Sequence, residues 1–442
     1  MNTPLVYVIV INWNGREHLE ACFASLLLST CANIVFLLVD NASTDGSADF
    51  VRERFGPDPR IEFLVLARNL GWSGGNNAGI RRALEAGADY IFLLNNDTAT
   101  DAKAIQTLVS AMEADSSLGA LAPRMVLFDQ PEILNSVGLR MSLIGAAWDI
   151  GIGRLDGPPW HRPEPVIGAC GGACFLRASA LSKTGLLPED FEIYLDDLDL
   201  CLRIWSAGYR VWSCPEAVVR HKFSATMGEG TRARHKYYLN TRNRFRILLR
   251  HFPLRSAPRV LPRLIAGEAR AMGRGLLSGE AWRVPAHLRA WLAALAYLPR
   301  AWRFRCTRPR SGPPAFWPLI AESPIFCPEV VLPDRGWYPP ITFAGERLRP
   351  MPRHATVSLS AGPLQVRLVN CYPASGAARI TLHAGDTLLG SLTAETSAEA
   401  CFDVPDGPLT VTAGSAFLME DTGALYDAGA WLQLTRDGVP LV

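Results

Sequence analysis

The sequence predicts an α/β domain with a Rossmann-like, mostly parallel sheet, then amphipathic basic helices, then an all-β sandwich-like domain. Three observations carry this expectation. Continuous apolar strands alternate with helical segments through the first hundred residues, and polar clusters follow the strands. After residue 237 the pattern changes, first to arginine-rich helical spacing and later to short alternating strands. A parallel sheet covered on both faces needs strands that are apolar throughout, whereas a half-solvated antiparallel sheet needs alternation.

The elements follow in order. Residues 5–11 read as a buried strand, 17–28 as a helix, 34–39 as a strand and 47–55 as a helix. Residues 61–66 form a third strand, a Gly/Asn loop follows, 77–86 form a helix, and 90–94 form a fourth strand. Between Arg242 and Arg310 there are 16 arginines and only two acids, Glu268 and Glu280, with Leu261, Leu264 and Ile265 and then Leu288, Trp291, Leu292 and Leu295 at helical spacing. Such helices suit an anionic membrane surface, and equally a basic face packed on the first domain or holding an anionic ligand. A Pro-rich stretch follows, and beyond it alternating strands are separated by Gly/Asp/Pro turns. The expected divisions are 1–250, 251–310, 311–340 (a linker) and 341–442.

Composition bounds the possibilities. At 442 residues the chain exceeds the usual single core. Hydrophobic content of 49% and a net charge of +2 argue against a disordered chain and against one that coats nucleic acid. No apolar run reaches the ~18–20 residues of a membrane span. The apolar start is short and lacks a basic leader, which places the chain in the cytoplasm as an expectation. The ten cysteines include no Cys-x-x-Cys pair; Cys170 and Cys174 come closest, and reduced thiols are expected.

Four polar clusters carry candidate chemistry. Asn12 opens the loop after the first strand, and Asp40, Asn41 and Ser43 lie in the polar turn after the second. A carboxylate there can accept the imide hydrogen of uracil or thymine, and Asn and Ser can bond base and ribose. Equally, Ser43 or Asp45 caps the next helix. The run Arg68-Asn69-Leu70-Gly71-Trp72-Ser73-Gly74-Gly75-Asn76-Asn77-Ala78-Gly79 has glycines that admit close backbone approach and opens a helix whose N-terminus favours anions. Asn95-Asn96-Asp97 closes the fourth strand. Asp97 offers an oxygen ligand for Mg2+ or Mn2+. Asp196, Asp197 and Asp199 crowd the start of an amphipathic helix, beyond what the helix dipole needs, and suggest a general base. His221 follows a strand-like segment, and its standing depends on whether it meets Asp97 in space.

Together these segments resemble the family-2, GT-A-fold glycosyltransferases, particularly the bacterial rhamnosyltransferase-like branch. The resemblance covers about residues 5–250 and rests on the order and spacing of five motifs: 40–47, 69–79, 95–97, Gly171-Gly172-Ala173-Cys174-Phe175-Leu176-Arg177, and 196–203, with His221 after them. It implies that Asp40 reads the base, that Asp97 holds the metal with His221 as a further ligand, and that Gly171 and Gly172 line the donor and acceptor cleft with Asp199 beside them. It implies Asp197 as base with Asp196 as alternate, and Arg242 near the diphosphate. Asn95 stands where the family pattern has an Asp. The implied activity is inverting transfer of a sugar, with L-rhamnose first in line, from a dTDP- or UDP-sugar to a lipid-linked or polysaccharide acceptor at the inner face of the membrane. The competing readings are a sugar-phosphate nucleotidyltransferase, whose Gly-rich loop after the first strand is poorly matched here, and an inactive glycan-binding relative.

Overall fold

A computed structural model describes residues 3–154, 156–222, 231–277, 279–307 and 314–321, and in the C-terminal part 329–330, 341–343, 346–351, 354–370, 377–413, 417–421, 424–428, 430–436 and 439–440. The chain divides into two compact units. The first comprises Met1–Asp129, Asn135–Ile150 and Pro158–Cys327; the second comprises Gln130–Leu134, Gly151–Gly157 and Pro328–Val442. Much of the Pro-rich stretch expected as a linker lies outside the described residues.

In the first unit β1 (Val6–Asn12), α1 (Arg16–Leu27), β2 (Ile34–Asp40), α2 (Ser47–Phe55), β3 (Ile61–Val65), α3 (Gly71–Glu85) and β4 (Tyr90–Asn95) alternate as expected. They are followed by β5 (Thr98–Thr100), α4 (Ala104–Ala114), β6 (Leu118–Leu127), a hairpin of β7 (Leu139–Met141) and β8 (Ala147–Asp149), β9 (Ala173–Arg177), α5 (Ala178–Thr184), α6 (Asp196–Ser206) and β10 (Arg210–His221). The sheet runs β3-β2-β1-β4-β9-β6-β10-β5. Its first four strands are parallel, β9 is antiparallel to both its neighbours, and β10 is parallel to β6. Every residue of β1 is buried, because a strand at the centre of a doubly covered sheet has no solvent face.

The glycine-rich run is not a loop. Helix α3 starts at Gly71, six residues before the expected start, so the glycines lie inside it. Its first amide is satisfied locally, Gly71 N donating to Asn69 Oδ1 at 2.7 Å, while Leu70 N donates to Asn41 Oδ1 at 2.8 Å. The glycines let the helix sit close on the sheet. A Cβ at Gly79 would stand 2.7 Å from Ile9 Cγ2 and 3.0 Å from Val39 Cγ2, and one at Gly75 would stand 2.5 Å from Ile11 Cδ1. The physical reason for the difference is packing: at Gly75 and Gly79 the helix backbone approaches β1 and β2 closely.

Three helices complete this unit: α7 (Thr231–His251), α8 (Ala257–Leu277) and α9 (Arg283–Cys306). Glu268, one of the two acids in the arginine-rich segment, is buried between them. It accepts hydrogen bonds from His287 Nδ1 at 2.7 Å and Trp291 Nε1 at 3.2 Å and pairs with Arg244. Burial alone would raise its carboxyl, but the His287 hydrogen bond and the Arg244 charge outweigh that and hold it low. No helix among the described residues is long and apolar enough to cross a membrane.

The described part of the second unit beyond Pro328 is all-β, as expected, and its two larger sheets are antiparallel. One sheet contains Glu346–Met351, Ala430–Arg436, Gly362–Val369 and Ser397–Val404; another contains His354–Leu359, Gly407–Ala413, Ala378–Ala384 and Thr387–Ala394. Leu364, Val366 and Leu368 of the first share one core with Ile380, Leu382 and Val411 of the second, which is sandwich packing.

Gly79→Ala tests the packing argument by its sign. Replacing glycine inside a helix ordinarily stabilises by ~0.5–1 kcal/mol. Here overpacking against Ile9 and Val39 should instead cost ~1–3 kcal/mol, read as a lower thermal midpoint; an unchanged or higher midpoint contradicts the account.

Candidate functional site

Parallel register brings the first polar residues together. Asn12 is opposite Asp40, and Asn95 is opposite Ile11, so the carboxyl ends of β2, β1 and β4 present their polar residues in one row. This is where open parallel sheets bind ligands. Asp40 is buried and its Oδ2 accepts Ser43 N at 3.2 Å; Asn12 Nδ2 donates to Ser43 Oγ at 3.1 Å, and Asn96 Nδ2 donates to Asn12 Oδ1 at 2.5 Å. Ser43 Oγ also accepts Asn14 N at 3.0 Å. Helix capping falls to Asp45, which accepts Arg16 N at 3.0 Å and Ser47 N at 3.1 Å. Asn41 Nδ2 donates to Asn69 Oδ1 and to Gly71 O, both at 3.0 Å, tying β2 to the entry of α3. Arg68 is exposed beside this group.

Asp97 and His221, which sequence could only place apart, meet. Strand β10 slips register between Cys214 and Val218 and then pairs His221 with Thr98, next to Asp97. His221 Nε2 lies 3.2 Å from Asp97 Oδ1, and both side chains are 8% exposed. On the far side of the ring Asn135 Oδ1 stands 2.6 Å from Nδ1 and accepts its hydrogen, so Nε2 is turned toward the carboxylate. Burial alone would raise the Asp97 carboxyl; the His221 hydrogen bond and charge, with His18 behind them, outweigh that and hold it low. His18 Nδ1 in turn lies 3.3 Å from Lys222 Nζ.

The acidic cluster at the start of α6 divides by environment. Asp196 is 3% exposed and accepts a short hydrogen bond from Ser73 Oγ. Asp197 is partly exposed; Gly171 N donates to its Oδ2 and Leu198 N to its Oδ1, both at 2.7 Å. Burial raises the proton affinity of both above the ordinary carboxylate range, with the Asp199 charge adding to it at Asp196 and the Asp196 charge at Asp197. A Cβ at Gly171 would stand 2.8 Å from Trp72 and 3.2 Å from Asp197 Oδ2, and one at Gly172 would stand 3.4 Å from His221 Cε1. The Gly-Gly segment therefore lies between the Asp197 carboxylate and the Asp97–His221 pair. Trp72 Nε1 donates to Asn95 Oδ1 at 3.1 Å, closing this group.

Three expected ligand contacts are placed elsewhere. Asp199 does not line the cleft: it has no exposed surface and meets Arg203 Nε at 2.8 Å, Arg250 Nε at 3.1 Å and His251 Nε2 at 2.7 Å. These charges hold its carboxyl far below the ordinary range although burial opposes them. Arg242 is buried, with Nη1 donating to Glu192 Oε1 at 2.7 Å and Nη2 to Phe191 O at 2.8 Å. Asn243 Nδ2 lies within 3.0 Å of the Phe191, Ile193 and Tyr194 carbonyls. Together they hold a loop in which Glu192, Tyr194 and Leu195 all have positive φ, at 68°, 71° and 62°. Such strain needs external restraint, and the restrained loop delivers Asp196 and Asp197. Asn77 is also a clamp, donating to Leu187 O and accepting Leu187 N, each at 2.9 Å.

Sequence reasoning missed Asn135, His18, Ser73 and Asp149. Asp149 ends β8 with its Oδ1 buried and without a hydrogen-bond partner, and burial raises its carboxyl despite hydrogen bonding to Ser136 and Cys170. An acid ending an apolar hairpin strand was the only signal it carried. Among the described residues no group of three or more His, Cys, Asp or Glu side chains is arranged to hold a metal ion, and the described cysteines are free thiols.

Asp199→Asn should destabilise the unit by ~3–5 kcal/mol, because it leaves buried cations unpaired. The depressed carboxyl of Asp199 contributes stability that is present above the unfolded-state value of about 4 and is lost as pH falls toward the folded one. Thermal midpoints of the variant should therefore lose part of the acid-side slope; an unchanged slope contradicts the placement.

Residues 7–181 match the family described as "Glycosyl transferase family 2". The chain is 29% identical over 248 residues to the N-acetylglucosaminyl-diphospho-decaprenol L-rhamnosyltransferase of Mycobacterium tuberculosis, covering 51% of this chain and 78% of that protein. It is 28% identical over 224 residues to galactofuranosyltransferase GlfT1 of the same organism, covering 50% and 70%. With the low-salt glycan biosynthesis hexosyltransferase Agl10 of Haloferax volcanii it shares 25% over 243 residues, covering 54% and 73%. Among solved structures, mannosyltransferase PcManGT from Pyrobaculum calidifontis in complex with GDP-Man and Mn2+ aligns with a TM-score of 0.41 at 20% identity, over 70% of this chain and 88% of that one. On this match residues 7–181 form a family-2 glycosyltransferase domain, and the relatives that align with it are glycosyltransferases.

Proposed function

We propose that this enzyme transfers a sugar with inversion from a nucleoside-diphosphate donor to a hydroxyl of a lipid-linked or polysaccharide acceptor, with Asp197 as general base. The observation that carries the proposal is the state of Asp197: partly exposed beside the Gly-Gly segment, fixed by two backbone amides, and raised in proton affinity. A base must be reachable, aimed and basic enough to take a proton as the bond forms. Asp196, buried and engaged by Ser73, is the positioning neighbour. The name of the mycobacterial relative supports L-rhamnose as the first sugar to test and a lipid diphosphate as the acceptor class.

The residues present fit a divalent cation. Asp97 Oδ1 and His221 Nε2 face each other at 3.2 Å, with the opposite nitrogen of the ring held by Asn135. One carboxylate and one imidazole suit Mg2+ or Mn2+ when diphosphate and water complete the shell. A cation bound there would neutralise charge on the departing nucleoside diphosphate. The chain's own residues do the rest. Asp40 and Asn12 present hydrogen-bonding groups at the strand ends suited to the base. Asp197 takes the acceptor hydroxyl's proton while that oxygen attacks the anomeric carbon opposite the leaving group.

The reading extends to an anionic membrane surface on the cytoplasmic face. Leu288, Leu292, Leu295 and Trp302 of α9 are 55–66% exposed and lie on one helical stripe. Arg289, Arg300 and Arg303, all exposed, flank that stripe. An apolar stripe with basic flanks is the pattern of helices that lie in a membrane interface.

Asp197→Asn should lower transfer by ~10²–10⁴-fold with nucleotide binding and thermal midpoint intact. Asp97→Ala should remove the Mg2+- or Mn2+-dependence of nucleotide binding, and Asp197→Asn should not. Near-normal transfer by Asp197→Asn, or metal-dependent nucleotide binding retained by Asp97→Ala, would sink the respective assignment.

A further inference from the structure

The acids around the cleft differ in what answers their charge. Asp199 meets three cations, Asp97 pairs with His221, Asp196 is bonded by Ser73, and Asp197 accepts two backbone amides. Asp149 forms no ion pair among the described residues, and its Oδ1 is buried without a hydrogen-bond partner. The side chain as a whole is nevertheless partly exposed, so it can be reached. A carboxylate left under-satisfied in this way costs stability, and a ligand that brings O–H groups removes that cost.

The backbone places Asp149 behind the Gly-Gly segment. Asp149 is opposite Leu139 in the β7–β8 hairpin, and Leu139 bridges on its other side to Gly168. Leu139 N donates to Gly168 O at 2.7 Å, and Ile150 N donates to Gly138 O at 2.8 Å, which pins this end of the hairpin. Two strand spacings, roughly 10 Å, therefore separate Asp149 from Gly168, three residues before Gly171. The side-chain neighbours of Asp149 are Ser136 and Cys170. Cys170 precedes Gly171, whose amide holds Asp197, and Ser136 follows Asn135, which holds His221. Asp149 is also close enough for its charge to act on Asp197. Trp72, Cys170 and Asp197 are partly exposed like Asp149, so two acids and an aromatic ring border the same stretch, Cys170–Gly172.

We infer that Asp149 determines acceptor specificity by accepting a hydrogen bond from the sugar hydroxyl next to the one that Asp197 deprotonates. The inference rests on the proposed function and adds to it the class of acceptor, a sugar with two neighbouring hydroxyls. Two carboxylates bordering one segment suit such a pair, because each O–H needs its own acceptor. A second cation suits Asp149 less well, since no group of three or more His, Cys, Asp or Glu side chains among the described residues is arranged to hold one.

The test uses the full chain with dTDP-rhamnose and UDP-GlcNAc as donors. Octyl glycosides of N-acetylglucosamine, galactose and rhamnose serve as acceptors. The hydroxyl that receives the sugar is identified in the product of the best pair, and acceptors lacking each hydroxyl beside it are compared. In the wild type one of these deoxy acceptors should lose roughly 10–100-fold in kcat/KM, the worth of a hydrogen bond to a charged group. Asp149→Ala should bring the intact acceptor down to the level of that deoxy acceptor, chiefly through a higher acceptor KM. Asp149→Asn, which keeps a neutral acceptor atom, should retain part of the discrimination. A purely structural role would lower turnover of both acceptors alike and leave their ratio unchanged. Equal use of intact and deoxy acceptors by the wild type, or discrimination that survives Asp149→Ala, overturns the inference while leaving the transferase reading. Absence of both hydrolysis and transfer with every donor overturns the two together.

Discussion

The site depends on the cost of burying carboxylates at the N-terminus of α6. Three acids fall within four residues there, and the fold neutralises only one of them. Asp199 is surrounded by Arg203, Arg250 and His251 and is locked as an anion. Asp196 and Asp197 receive hydrogen bonds but no cation among the partners described for them, so their proton affinity rises. The same helix start thus yields a structural anchor and, on the proposed function, a base, through a difference in neighbours, the general way proteins separate the roles of like groups. The anchor also ties α6 to α7, and α7 carries Arg242 and Asn243, which hold the strained loop that leads into Asp196 and Asp197.

This dependence explains which parts of the site were legible in the sequence. The alternation of strands and helices and the clusters at strand ends are local patterns, and they read correctly as a mostly parallel sheet with a row of polar residues. The meeting of Asp97 with His221 could not be read, because it requires a register slip in β10 that no local pattern announces. Asp199 and Arg242 looked like ligand contacts because spacing cannot tell a charge facing a cleft from one paired inside the protein. The glycines of α3 were read as a loop for a related reason: glycine permits close approach, and sequence does not say whether the run stays open or packs as a helix against Ile9. Asn135 and Asp149 lie in short strands whose place depends on tertiary packing, so the chain around them marked Asp149 only as an acid ending a hairpin strand and Asn135 not at all.

The arginine-rich segment shows the same division between pattern and partner. Its helical spacing and charge were plain in the sequence, but Glu268 gained meaning only once three helices were seen to close around it. What faces outward is then an apolar stripe with basic flanks, and what lies between the helices is a mostly apolar groove. On the proposed function a lipid-linked acceptor would bring a reaction at a polar cleft together with a substrate anchored in hydrocarbon, and the exposed stripe of α9 would be the part of this unit to meet it.

The central claim is that Asp197, made more basic by burial and by Asp196, takes the proton of the acceptor hydroxyl. The most direct measurement is the pH dependence of transfer compared with that of nucleoside-diphosphate binding. A raised base is protonated and idle at acid pH, so transfer should rise with pH along a limb displaced well above the ordinary carboxylate range, while nucleotide binding should show no matching limb. A transfer limb at the position of an ordinary exposed aspartate, or one shared with nucleotide binding, would contradict the assignment.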